Sequence, residues 1–316
     1  MSVGPTPDAA SPTRPVVLAG ATATGKSAVA VELAAALGGE IISVDSMQVY
    51  RGMDVGTAKP GAEDRRRVPH HLVDVADVTE TFDAARFVAL AQEAVAAIRA
   101  RGRVPILCGG TGLYFNAWLN GLGTAPAPDP ALRAELEATP LEALLDELAR
   151  KDWETFDAID VANRRRVVRA VEVIRLTGQP FSRQRARWPE RAQALAGRGF
   201  GLARTREDLA RRIERRVDAM FHAGLVDEVR SLLSRGLRDN RTAMQAIGYR
   251  QVVEHLEGVR GRLQTVEEVK VRTRQFARRQ GTWFRGQLDL EWLELPADEP
   301  PAETAARIAS RLATAG

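Results

Sequence analysis

A phosphate-binding loop motif places the tightest constraint on how this chain can fold. Residues 20–27 read GATATGKS and match G-x-x-x-x-G-K-[ST] at every fixed position. The apolar run Val16–Ala19 before the motif predicts a buried strand, and the Ala- and Leu-rich run Ala28–Leu37 after it predicts a helix. Backbone amides cradle phosphate in this strand–loop–helix order. The predicted phosphate-binding residues are Gly20, Ala21, Thr22, Ala23, Thr24, Gly25, Lys26 and Ser27, with Ser27 as the Mg²⁺ ligand.

The first 120 residues alternate short apolar runs with helical patterns, which is typical of a parallel α/β sheet. Two further strands are predicted at Ile41–Val44 and Val104–Cys108, and a helix at Ala84–Arg101. Asp45 and Thr111 follow these strands, at the sheet edge where such folds bind ligands. The expected fold class is therefore α/β, a P-loop NTPase-like parallel sheet flanked by helices.

A Pro- and Gly-rich segment at residues 121–130 interrupts this alternation, and the pattern beyond it is helical. We predict a helical insertion domain at 124–199, built on a core formed by 15–123 and 200–316. Residues 1–14 are rich in Pro, Ser and Ala and predict a flexible N-terminal leader. The remaining predicted elements are helices Ala131–Leu136, Leu141–Lys151, Arg164–Leu176, Arg206–Met220 and Val266–Trp283, and a strand at Gly201–Ala203.

The net charge of +4 conceals a strong asymmetry along the chain. Residues 161–220 contain 16 arginines, no lysine and six acidic residues, a net charge of +10, whereas residues 1–160 carry −8. Such an excess suggests a polyanionic partner such as nucleic acid, and the alternative is an ordinary solvated surface. No run reaches the roughly 18 apolar residues of a membrane span. With Cys108 as the single cysteine, we expect a cytoplasmic protein without membrane contact, and a monomer.

The end of the predicted strand Val104–Cys108 carries no acidic residue. A hydrolysing NTPase typically has a metal-holding aspartate there, but this strand runs into Gly109, Gly110 and Thr111. The pattern therefore disfavours a motor ATPase. Asp45, after the second strand, could face a substrate across the phosphate loop, or it could cap the segment that follows.

Seven segments of the chain together resemble the bacterial tRNA dimethylallyltransferases. The resemblance runs in collinear order over residues 15–290, and the block from Ile41 to Pro60 is its most specific part. Ala21 and Val171 depart from the family's usual proline and leucine. The segments are Gly20–Ser27, Ile41–Pro60, Pro69–Leu72, Gly109–Tyr114, Arg166–Glu172, Gln245–Gln251 and Thr273–Arg285.

This resemblance implies transfer of a dimethylallyl group from dimethylallyl diphosphate to N6 of adenine 37, in tRNAs that read codons beginning with U. It makes Asp45 the general base and places Thr111 beside the reacting adenine, with Mg²⁺ as the cofactor and the tRNA anticodon stem-loop as the partner. The implied tRNA-contacting residues are Asp45, Ser46, Met47, Gln48, Thr111, Arg133, Arg165, Arg166, Arg169, Gly248, Tyr249, Arg278, Arg279, Gln280, Trp283 and Arg285.

Several of these assignments have simpler alternatives. Thr111 could cap the next helix and Arg133 could be a solvated charge. The sequence does not distinguish which of Arg206, Arg212 and Arg216 holds the diphosphate. Alternative functions are a small-molecule P-loop kinase, a non-catalytic RNA-binding ATPase, and an adenylate isopentenyltransferase that uses AMP. The Arg-rich insertion and the segment Arg278–Arg285 favour tRNA over AMP.

Overall fold

The computed structural model describes residues 13–186, 188, 195 and 197–314. The predicted leader, 1–14, lies almost entirely outside this range. The chain divides after Leu119 and after Pro189 into two compact units. We call the unit between these points the insertion unit and the rest of the chain the core unit. The sequence placed the corresponding insertion at 124–199.

The core unit is built on a sheet of parallel strands in the order β3-β2-β4-β1-β5-β6. This arrangement confirms the predicted α/β class. The strands are β1 Val16–Gly20, β2 Glu40–Val44, β3 His70–His71, β4 Pro105–Gly109, β5 Gly199–Ala203 and β6 Glu291–Glu294. The helices are α1 Lys26–Leu37, α2 Ala62–Arg67, α3 Ala84–Ala100, α4 Gly112–Asn120, α5 Pro130–Ala138, α6 Leu141–Lys151, α7 Trp153–Ala158, α8 Arg164–Thr177, α9 Arg206–His222, α10 Leu225–Leu233, α11 Tyr249–Leu256, α12 Arg262–Gln287 and α13 Pro301–Thr314.

The central strands are buried on both faces, which explains why they read as continuous apolar runs. Successive residues of β1 point to opposite faces. Val17 belongs to the hydrophobic cluster that includes residues of α3, α9 and α12, whereas Leu18 belongs to the cluster that includes residues of α1 and α13. Helices therefore cover both faces of the sheet. Among the described residues, no helix combines the length and the apolar character needed to cross a membrane.

The insertion unit is a separate helical assembly with its own apolar core. Leu144 and Leu148 of α6 and Val167 and Val171 of α8 are fully buried in it. The buried Asp152 caps α7 through Thr155 and also accepts the backbone N–H of Ser182 at 2.8 Å. The unit is thus held by helix packing and by a satisfied buried carboxylate.

Gly109, at the end of β4, is a position where the packing of the sheet admits no side chain. A Cβ at this residue would lie 2.0 Å from the carbonyl oxygen of Val44. Because the obstructing atoms are backbone, we expect Gly109→Ala to lower the free energy of unfolding by about 3 kcal/mol or more. The urea midpoint measures this change. Gly286→Ala, on α12 with nothing within 4 Å of the new atom, is the control and should be neutral or slightly stabilising. An unchanged midpoint for Gly109→Ala would contradict the β2–β4 register.

Candidate active site

The phosphate loop joins β1 to α1 and is braced by its own hydrogen bonds. Gly25 adopts a left-handed conformation (φ 97°) at the start of α1, and Ala23 does so at φ 65°. The Thr24 hydroxyl donates to the carbonyl of Ala21 at 2.9 Å, and the Lys26 ammonium donates to the same oxygen at 3.3 Å. A non-glycine residue at positive φ stores strain and persists where the surroundings fix it. The loop is therefore held in shape by the protein.

A cavity of about 370 Å³ opens at the carboxyl ends of β1, β2 and β4. The phosphate loop and the turn after β2 meet in this cavity, as the positions of these segments predict. Side chains from α9 and α12 line further parts of its wall. Its lining includes Thr22, Lys26, Ser27, Asp45, Ser46, Met47, Gln48, Cys108, Thr111, Arg216, Met220, Ile247, Phe276, Arg279 and Gln280.

Asp45 lies in this cavity and caps the turn after β2. Its Oδ1 accepts the backbone N–H groups of Met47 at 2.8 Å and of Gln48 at 3.3 Å. Within the described part of the chain, no hydrogen bond is made to Oδ2. The capping alternative is thus compatible with a catalytic role, because one oxygen orients the carboxylate and the other is left for a substrate.

Thr111 is tied to the same turn. Its hydroxyl accepts the backbone N–H of Ser46 at 3.1 Å. The backbone N–H groups of Gly110 and Thr111 both donate to the carbonyl of Val44, at 3.2 and 3.1 Å. The end of β4 therefore fixes the residues on both sides of Asp45.

Arginines of α9 and the segment before it surround the phosphate loop. Arg212 donates through Nε to the carbonyl of Ala23 at 2.8 Å, and Arg216 lines the cavity. Arg206 is exposed and absent from the cavity lining. Of the three arginines left open by the sequence, Arg212 and Arg216 are the ones placed at the loop.

Arg204 is a further contact that sequence reasoning missed. Its Nε donates to the carbonyl of Thr24 at 2.8 Å, and Asp208 holds the guanidinium at 2.9 Å. Only 4% of the Arg204 side chain is exposed. Arg204 therefore stabilises the phosphate loop through a buried contact with its backbone.

The cavity is electrostatically suited to an anion. Burial lowers the pKa of Lys26, and Arg216 adds to this effect while Cys108 and Asp45 oppose it. Burial also lowers the pKa of Arg216, and Asp45 opposes that shift. A bound anion would relieve the cost of crowding these cations. Burial raises the pKa of Cys108 to about 12, so the thiol is protonated at neutral pH and is a poor nucleophile.

Gly56, Thr57 and Ala58 line another part of the cavity, and the loop that contains them is held by Glu228. This carboxylate accepts the backbone N–H groups of Asp54, Val55 and Gly56 at 3.0, 2.7 and 3.2 Å. It also accepts the phenol of Tyr249 at 2.6 Å. Tyr249, predicted to contact tRNA, is fully buried here, and Gly248 before it has φ 101°.

Helix α12 carries the predicted contact segment 278–285, and its residues occupy different environments. Arg279 lines the cavity, whereas Arg278 is exposed on the helix surface. Arg285 lies over the ring of Trp292 at 4.6 Å from the centroid. Trp283 packs against Gly112, where a Cβ would approach its ring within 2.3 Å. Phe276 on the same helix is 38% exposed and lines the cavity.

Four predicted RNA contacts lie in the insertion unit. Arg165 and Arg166 are exposed on α8. Arg133 and Arg169 instead converge on Glu172, which is fully buried. Hydrogen bonds from the two arginines lower the pKa of Glu172 although burial opposes the shift.

The cavity can hold Mg²⁺ only through oxygen ligands of the kind that this ion prefers. No group of three or more His, Cys, Asp or Glu among the described residues could hold a metal ion. Mg²⁺ usually keeps several waters and takes one or two protein ligands together with substrate phosphates. Ser27 lines the cavity and offers the hydroxyl oxygen that this arrangement needs.

The Glu172 cluster predicts a pH-dependent contribution to stability. We expect Glu172→Gln to lower the free energy of unfolding by about 2 kcal/mol at pH 7, less than the roughly 3–5 typical of enclosed pairs because the arginines are 27% and 26% exposed. The pKa of Glu172 is lowered on folding, so this contribution is present above the ordinary carboxyl pKa of 4.5 and is lost as pH falls through the folded value.

Urea titrations of wild type and Glu172→Gln between pH 7 and pH 3 measure this difference. Glu154→Gln is the control, because its pair with Arg185 is exposed and 3.5 Å long. It should change stability by no more than about 0.5 kcal/mol. A gap between wild type and Glu172→Gln that stays constant to pH 3 would contradict the assignment.

Comparison with known proteins finds a matching family model and similar enzymes. The family model described as IPP transferase matches residues 48–287. A tRNA dimethylallyltransferase 1 of Trichlorobacter lovleyi is 46% identical over 297 residues, 93% of this chain and 97% of the relative. A tRNA dimethylallyltransferase of Kineococcus radiotolerans is 44% identical over 310 residues, 95% and 96% of the two chains.

Solved structures extend this likeness to the fold. The tRNA isopentenylpyrophosphate transferase of Bacillus halodurans superposes with a TM-score of 0.69 at 40% identity, covering 96% of this chain and 98% of that one. A eukaryotic dimethylallyltransferase acting on tRNA superposes with a TM-score of 0.75 at 26% identity, covering 96% and 80%. This chain belongs to the IPP transferase family.

Proposed function

We propose that this chain is a tRNA dimethylallyltransferase. It transfers a dimethylallyl group from dimethylallyl diphosphate to N6 of adenine 37, in tRNAs that read codons beginning with U. The products are N6-(dimethylallyl)adenosine and diphosphate. The observation that carries the proposal is a single cavity that holds both a phosphate loop and a carboxylate, in a chain whose relatives bear this enzyme's name.

The reaction breaks the bond between C1 of the dimethylallyl group and a diphosphate oxygen and forms a bond from C1 to N6. The electron pair of the broken bond leaves with the diphosphate. Lys26, Arg212 and Arg216 surround the loop and would stabilise the charge that develops there. The adenine amino group is a weak nucleophile, and Asp45 would accept its proton as the new bond forms.

In this proposal, Mg²⁺ would be held by Ser27 together with the diphosphate, where it would neutralise charge on the leaving group. Ser27 is exposed at the first turn of α1, so a phosphate oxygen and the hydroxyl could share the ion. Removal of divalent ions with a chelator should therefore abolish turnover.

Exposed arginines would contact the tRNA at the protein surface, and the reaction would take place in the cavity. Adenine 37 is stacked in the anticodon loop and must be turned out of the stack to reach Asp45. Arg165 and Arg166 in the insertion unit and Arg278 on α12 are exposed and suited to phosphate contacts. We further propose that the enzyme acts as a cytoplasmic monomer, which its elution volume and cell fractionation would test.

A small-molecule kinase is the weaker proposal. Beyond β4 the chain continues through Gly110 and Thr111 without the aspartate that typically holds metal in a P-loop NTPase. Asp45 lines the same cavity as the phosphate loop and would act there on the acceptor nitrogen. A kinase would consume ATP with a small acceptor and no RNA.

The decisive test is transfer of the dimethylallyl group to RNA. Wild-type protein, Mg²⁺ and dimethylallyl diphosphate should modify an anticodon stem-loop with the sequence A36-A37-A38, and mass spectrometry should locate the product at adenine 37. Asp45→Asn can still accept the Met47 N–H but cannot take a proton. We expect its kcat to fall by about 10²–10⁴-fold, with RNA affinity in a filter-binding assay unchanged.

Asp289→Asn is the matched control, because Asp289 is exposed and outside the cavity lining. It should retain wild-type kcat. Full activity of Asp45→Asn would overturn the general-base assignment. The absence of product from the wild type, with RNA bound, would overturn the proposed function.

A further inference from the structure

We infer that Gln280 is a positioning residue that sets the distance between the phosphate loop and the Asp45 turn, rather than a residue that binds RNA through its amide. This inference rests on the proposed function. It concerns a buried side chain whose only sequence-based assignment was to the RNA-contacting segment 278–285.

Both polar atoms of the Gln280 amide are used inside the protein. Its Oε1 accepts the backbone N–H of Thr22 in the phosphate loop at 2.8 Å. Its Nε2 donates to the carbonyl of Gly110, just beyond β4, also at 2.8 Å. Because one partner is a donor and the other an acceptor, only one orientation of the amide satisfies both. Gln280 is 8% exposed, so little of its side chain is open to solvent although it borders the cavity.

The link continues from Gly110 to Asp45 through short backbone contacts. Gly110 and Thr111 donate to the carbonyl of Val44, and the Thr111 hydroxyl accepts the N–H of Ser46. Val44 and Ser46 flank Asp45. A shift of Gly110 would therefore move the backbone on both sides of the proposed base.

The link uses a backbone N–H group of the phosphate loop, that of Thr22. The Thr22 N–H is one of the loop amides that could face an anion, and Gln280 occupies it. Gly110 is also restricted, because a Cβ there would lie 2.4 Å from Gln280 Nε2. The two hydrogen bonds of Gln280 therefore fix the loop relative to the end of β4.

The proposed reaction explains why this geometry matters. The leaving group is held at the loop and the attacking nitrogen at Asp45, so the span between the two segments sets the alignment of the bond that breaks with the bond that forms. A displacement of about 1 Å at such a site can cost on the order of 10²-fold in rate. Gln280 joins the phosphate loop to Gly110, and Gly110 is joined in turn to Val44, next to Asp45.

The test uses Gln280→Met, which keeps the length of the side chain and removes both hydrogen bonds, and Gln280→Glu, which keeps an acceptor for Thr22 but removes the donor to Gly110. We expect kcat to fall by about 10–100-fold in both variants, since the two segments are no longer held together. The dissociation constant of the anticodon stem-loop should stay within about threefold of wild type, because no RNA contact is lost.

Gln275→Met is the matched control, since Gln275 is an exposed glutamine on the same helix outside the cavity lining. It should leave kcat unchanged. Thermal melting identifies any variant that does not fold, and Gln280→Glu, which is nearly isosteric, carries the test if the methionine variant fails.

The outcomes separate this inference from the proposed function. Loss of RNA affinity by tenfold or more, with normal kcat at saturating RNA, would show that Gln280 binds RNA and overturn the inference. So would an undiminished kcat in both variants. If the wild type transfers no dimethylallyl group, the proposed function fails instead.

Discussion

The parallel pairing of β4 between β1 and β2 is the constraint on which the candidate site depends. Parallel strands bring their carboxyl ends to one edge, so the phosphate loop after β1 and Asp45 after β2 lie on either side of the end of β4. Gly109 allows β4 to approach Val44 at a distance that excludes a side chain. The backbone N–H groups of the next two residues then reach the Val44 carbonyl. The register of the sheet therefore fixes the position of the phosphate loop relative to Asp45.

The charges around the cavity suit an anionic leaving group. Lys26 and Arg216 are held in surroundings that lower their pKa values by burial, and they face a single carboxylate in the described lining of the cavity. An anionic leaving group would find its countercharge already in place. Asp45 is left with one oxygen for a proton, because its other oxygen is committed to the turn.

Much of this arrangement could be predicted from the sequence, because the signals are local. The central strands read as apolar runs, and the loop motif and Asp45 directly follow them. Strands β3 and β6 gave no such signal, since β3 has two residues and β6 buries only Leu293 fully. Neither strand has the continuous apolar run by which the buried central strands are recognised in the sequence.

The supporting contacts could not be predicted, because they join residues far apart in the chain. Arg204 reaches the phosphate loop across 180 residues, and Gln280 does so across 258. Tyr249 lies in a segment that resembles an RNA-contacting one, yet burial and Glu228 define its environment. A motif marks residues as a set, and only the fold shows which of them face the ligand and which hold the others.

These supporting residues also explain why the C-terminal helices belong to the catalytic unit. The phosphate loop and the Asp45 turn precede the insertion, whereas Arg212, Glu228 and Gln280 follow it and act on backbone groups of those earlier segments. Because these hydrogen bonds are made to backbone groups, side chains in the loops can change while the hydrogen bonds remain. A charged or amide group on a rigid helix can fix a loop more closely than contacts within that loop alone. The site therefore depends on residues from both ends of the core unit, and the loop motif supplies only the part that would bind phosphate.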